Sequence, residues 1–131
     1  MPNDDRLQIT LPAQPDSLPL ARRAVVAHAE RLGIARAGIA DLKTVVSEAC
    51  ANVVMHAYRG ATGPGPLTVE TRTGSEEFVI VVSDEGIGMG PRPDSPGLGH
   101  GLVLITRLTQ RLEIGVNSSG GAKLTMGFAT V

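Results

Sequence analysis

Residues 47–58, Ser47-Glu48-Ala49-Cys50-Ala51-Asn52-Val53-Val54-Met55-His56-Ala57-Tyr58, suit a helix lying half on a core and little else. Leu42, Val46, Ala49 and Val53 recur at i, i+4, i+7 and i+11, the face that a helix turns inward. Glu48, Asn52 and His56 stand four residues apart. At about 100° of rotation per residue, each falls about 40° beyond the last and the three form a slanting polar stripe. A stripe that flanks the buried face borders the core without joining it, which is where a pocket has its wall. Glu is ordinary on any helix, and a solvated polar edge would account for it. Asn is less at home in a helix interior, because its amide competes for the backbone and favours caps and turns, so Asn52 asks for a reason.

The rest of the chain must supply the cover for that helix. With 131 residues, a single domain spanning 1–131 is expected, large enough to bury about two thirds of its unfolded surface. Aromatic residues are only 2% and Trp is absent, so the core has to be Val, Leu, Ile and Ala. A net charge of −1 without Lys/Arg runs removes the electrostatic footprint of a nucleic-acid binder. The single cysteine, Cys50, excludes an internal disulfide and a Cys-ligated zinc and fits a reducing compartment. No stretch reaches the roughly 18 apolar residues of a membrane span, and the acidic start lacks a signal-peptide core. A soluble, cytoplasmic protein is expected.

Period-two alternation predicts a strand over 6–11, closed by Pro12. Asp16 and Ser17 are N-cap candidates for a helix reaching Gly33, with Leu18, Ala21, Val25 and Leu32 inward and Arg22, Arg23, Glu30 and Arg31 in water. A second helix is expected over 36–58, and the Gly/Pro-rich stretch 60–66 ends it. Residues 67–73 and 78–82 read as a hairpin, the second strand apolar throughout and therefore buried on both faces. Residues 83–96 have no periodicity and read as a loop or lid. A third helix is expected from Leu102 to Leu108, and strands over 112–116 and 124–128 join through the turn Asn117-Ser118-Ser119-Gly120-Gly121. The order β-α-α-β-β-α-β-β implies an α+β two-layer sandwich, a mostly antiparallel sheet with helices on one face.

Two further segments could carry chemistry. Asp84 ends the buried strand and is followed by Gly86 and Gly88. An aspartate there can accept a hydrogen bond from an exocyclic amino group such as that of adenine, while the glycines let backbone approach a flat ligand; an ordinary Asp/Gly turn is the alternative. Gly97-Leu98-Gly99-His100-Gly101-Leu102 offers free N–H groups at a helix start, where the dipole favours phosphate. No Gly-Lys-Ser or Gly-Lys-Thr is present, so it is no Walker loop, and a plain hinge is its competing reading.

Taken together, the three segments resemble the GHKL, or Bergerat-fold, ATPases, the superfamily of type II topoisomerases, histidine kinases and mismatch-repair MutL proteins. Glu48-x-x-x-Asn52 with His56 resembles the N box, Asp84-Glu85-Gly86-Ile87-Gly88 the G1 box and Gly99-His100-Gly101-Leu102 the G2 box. Small size, a short lid and the string from Glu48 to Tyr58 are most similar to the bacterial anti-sigma factor serine kinases. The resemblance implies ATP and Mg²⁺ as cofactors, Asn52 on the metal and Glu48 as general base. It implies His56 near the phosphates, Asp84 on the adenine amino group, Gly86 and Gly88 along the base, and Gly99, Gly101 and Leu102 around phosphates. It further implies a homodimer that holds a sigma factor and phosphorylates a serine or threonine of an anti-anti-sigma (STAS) protein. Two positions depart from the pattern. Gly121-Ala122 stands where Gly-Thr is usual, with Thr125 or a serine of the turn as substitute, and His100 brings a titrating group into the G2 loop. A detached histidine-kinase domain is the first alternative, opposed by Glu48; an ATP-gated module that sequesters sigma without transferring phosphate is the second.

Overall fold

The structure, a computed structural model, describes residues 6–34, 36–87 and 98–130. The elements follow the expected order: β1 (Arg6–Pro12), α1 (Ser17–Arg31), α2 (Arg36–Asn52) continuing into a π-turn (Val53–Ala57), β2 (Pro66–Thr73), β3 (Glu77–Asp84), α3 (Leu98–Leu108), β4 (Arg111–Val116) and β5 (Ala122–Ala129). The strands form one sheet in the order β1-β2-β3-β5-β4, each neighbouring pair antiparallel. The expected α+β sandwich is what the chain builds.

β3 lies at the centre of that sheet, which explains its unbroken apolar run. Phe78, Ile80 and Val82 enter the core under the helices, while Val79 and Val81 on the opposite face are also only 3% exposed. The edge strand β1 shows the complementary pattern, exposed residues alternating with half-buried ones. Above the sheet α2 lies between α1 and α3. Its inward stripe, Leu42, Val46, Ala49 and Val53, is buried as the spacing requires, and Val45 and Cys50 join it. The Cys50 thiol is pushed up to about 12 by that burial, which keeps it protonated and inert. Among the described residues no helix is long and apolar enough to cross a membrane.

The helix ends differ from expectation in detail. Asp16 sits at the N-cap of α1 without a side-chain cap, and Ser17 instead donates its hydroxyl to the Pro12 carbonyl at 2.6 Å, tying the helix start to the end of β1. The second helix does not stay α-helical to Tyr58, because its last turn widens to a π-turn. The third helix begins at Leu98 rather than Leu102, so Gly99, His100 and Gly101 lie inside it. Of the expected loop or lid over 83–96, Ser83 and Asp84 belong to β3, and residues 88–97, with Gly88, lie outside the described residues.

Candidate nucleotide site

The polar stripe on α2 meets the start of α3. A Cβ added to Gly101 would stand 2.9 Å from Glu48 Oε2, 3.5 Å from Asn52 Oδ1 and 3.7 Å from Asn52 Nδ2. The missing side chain at Gly101 is therefore what lets the first turn of α3, with its positive dipole end and unsatisfied N–H groups, approach both residues. Glu48 and Asn52 are half-buried. Asn52 Nδ2 is buried and has no hydrogen-bond partner among the described residues. A buried amide left unsatisfied is costly, and its uncommitted end can turn either oxygen or nitrogen to a ligand. Among the described residues no three His, Cys, Asp or Glu side chains gather into a metal cage. A cation held here would take one amide oxygen from the protein and the rest from phosphates and water, the habit of Mg²⁺.

Asp84 is the second predicted anchor. It is buried at 5% exposure at the end of β3, on the helix-facing side that it shares with Ile80 and Val82. Its Oδ1 accepts from the backbone N–H of Gly86 at 2.9 Å and of Ala122 at 3.1 Å. Those two donors satisfy one carboxylate oxygen and leave Oδ2 for a partner that brings its own N–H. The loop after β3 is pressed onto the end of the π-turn: Ile87 N donates to the Ala57 carbonyl at 3.0 Å, and a Cβ at Gly86 would lie 2.0 Å from that same oxygen. Gly86 is thus required by protein backbone, not only by the approach of a flat ligand.

Tyr58 locks this arrangement. Its hydroxyl donates to the Pro66 carbonyl at 2.5 Å and accepts from Glu85 N at 2.8 Å, joining the π-turn, the start of β2 and the loop after Asp84. Burial raises its pKa above the ordinary value; the Glu85 N–H donation works against this, and the charges of Asp84 and Glu85 add to the rise.

The remaining predicted residues divide. His56 is half-buried within the π-turn, so the widened turn displaces it from the place that α-helical spacing gives it after Asn52. Gly99 and His100 lie in the first turn of α3, His100 exposed. Leu102 falls deeper in that helix, half-buried against the core, so the free N–H groups centre on Gly99 and His100 instead. Thr125 is separated from the site. It pairs with Val81 and Glu113, between the core residues Leu124 and Met126, and alternation puts it on the face away from the helices. The Ala122 N–H, not Thr125, meets Asp84. Sequence reasoning also missed Tyr58 as a tie and Asn117, whose Nδ2 donates to the Asp84 carbonyl at 3.0 Å.

Residues 11–128 match the family described as the histidine kinase-like ATPase domain. The serine-protein kinase RsbW of Bacillus pumilus is 29% identical across 92% of this chain and 85% of its own length. RsbW of Listeria innocua is 38% identical over 63% of this chain, and RsbW of Bacillus subtilis 34% identical over 64%. In both cases the match covers 52% of the relative, so there the chain spans about half the relative's length. Among solved structures, the RsbU and RsbW domains of a Mycobacterium tuberculosis protein share the fold with a TM-score of 0.72 and 23% identity, over 94% of this chain and 32% of that one. With the fold, the ordered site residues and a match over nearly its whole length, the chain belongs to the histidine kinase-like ATPase domain family.

Proposed function

We propose that the protein is an ATP-dependent serine/threonine kinase and anti-sigma factor, which holds a sigma factor and phosphorylates an anti-anti-sigma protein of STAS type. The observation that carries this reading is the convergence at Gly101, where a carboxylate and an uncommitted amide meet the N-terminal turn of a helix. The serine-protein kinases among its relatives supply the substrate class.

In this reading Asp84 accepts a hydrogen bond from the adenine amino group through Oδ2 and Asn52 offers its amide oxygen to Mg²⁺. Bound Mg-ATP supplies the phosphoryl group and the charge neutralisation that transfer needs. Glu48 orients the attacking serine hydroxyl and takes its proton, a role that needs position more than basicity because the transition state is loose. The first turn of α3 presents N–H groups to the negative charge that spreads over the phosphoryl oxygens. The half-exposed setting of Glu48 leaves room for a protein substrate. The resemblance extends the reading to a cytoplasmic homodimer, and the reduced, buried Cys50 is compatible with that compartment.

The test is incubation with γ-labelled ATP and each STAS-type protein of the same genome. Label on a serine or threonine of one of them is expected. ATP binding without any labelled partner would instead establish a nucleotide-gated binding module.

A further inference from the structure

The turn between β4 and β5 does more than reverse the chain. Asn117 Nδ2 donates to the Asp84 carbonyl at 3.0 Å, while its Oδ1 accepts from Ser118 N at 3.0 Å. Asn117 N donates to the Gly121 carbonyl at 2.6 Å, and Gly120 N returns to the Asn117 carbonyl at 2.9 Å, so the turn is internally braced. It runs hard against the aspartate: a Cβ at Gly121 would lie 2.1 Å from the Asp84 carbonyl oxygen and 2.7 Å from Oδ1. Ala122 N, the next residue, donates to that Oδ1. Main chain and carboxylate of Asp84 are therefore both held by one five-residue turn and its exit. A carboxylate at a free strand end rotates about two torsions, whereas this one has its backbone pinned by Asn117 and one oxygen pinned by two N–H groups.

We propose that Asn117 is a positioning residue for nucleotide recognition: it fixes the backbone of Asp84 and so the direction in which Oδ2 points, making selectivity for a 6-amino purine depend on a side chain that acts through the aspartate. The proposal rests on the reading of Asp84 as the group that recognises the base.

Calorimetry on the whole chain with ATP and with purine riboside triphosphate, which carries hydrogen in place of the 6-amino group, separates the two ideas. Wild type is expected to prefer ATP. Asn117→Ala is expected to weaken ATP about five-fold, the scale of one lost hydrogen bond, and to leave the 6-unsubstituted nucleotide within about two-fold. Asn117→Ser, which keeps turn chemistry but lacks the amide donor, gives the same ratio and serves where the alanine variant does not fold. Equal weakening of both nucleotides, or no change in either, would overturn the positioning role. A wild type that does not distinguish the two would refute base recognition by Asp84 itself.

Discussion

Gly101 shows what a single hydrogen atom decides in this site. An added Cβ meets Glu48 Oε2 at 2.9 Å, and that oxygen is the far end of a flexible side chain, so Glu48 yields and the fold does not. Alanine also favours a helix over glycine by up to about 1 kcal/mol. Gly101→Ala is therefore expected to leave the melting temperature unchanged or slightly higher while phosphoryl transfer falls at least about ten-fold, because the carboxylate is driven from the position proposed for it in transfer. Thermal denaturation beside a transfer assay checks this, and a large loss of stability with normal transfer would contradict it. At this scale the sequence was partly readable. Asn52 announced itself because asparagine is out of place in a helix, and it proves to be the buried, unsatisfied amide. Gly121 could have been found by the same logic. The turn needs one left-handed glycine and has it in Gly120 at φ 91°; the second glycine was surplus to the turn and is explained by the Asp84 carbonyl behind it.

Between elements, the tie at Tyr58 joins the π-turn, β2 and the loop after β3 through one hydroxyl with two partners. Tyr58→Phe removes the donor to Pro66 O and the acceptor for Glu85 N, and is expected to cost about 1–3 kcal/mol in urea denaturation. The alkaline limb gives a second readout. Because the folded state raises the Tyr58 pKa above the ordinary 10.0, the unfolded chain loses that proton first, and stability is present below pH 10 and falls as pH rises beyond it. The chain has a single tyrosine, so Tyr58→Phe should flatten the part of the decline that tyrosine ionisation drives. An unaltered alkaline limb would show that the hydroxyl is not held as described. Helix and strand periods made the elements legible, down to the doubly buried β3. Those periods could not show the π-turn, whose end packs against the loop after β3, or the early start of α3, where two glycines masked a helical turn.

For the molecule as a whole, the order of elements and the antiparallel sheet followed from pattern alone, whereas the placement of Thr125 did not. Alternation assigns two faces to a strand, but only the register β3-β5-β4 says which face looks at Asp84. That register brings Ala122, not Thr125, to the aspartate. In the proposed mechanism one carboxylate, Glu48, acts in transfer and not in binding. Mg-ATP affinity by calorimetry and label transfer to the cognate STAS protein, measured side by side for wild type and Glu48→Ala, separate the two. Affinity within about two-fold of wild type with transfer reduced about 100-fold or more is predicted, the usual loss when a general base is removed. Equal loss of binding and transfer, or transfer that survives intact, would contradict it.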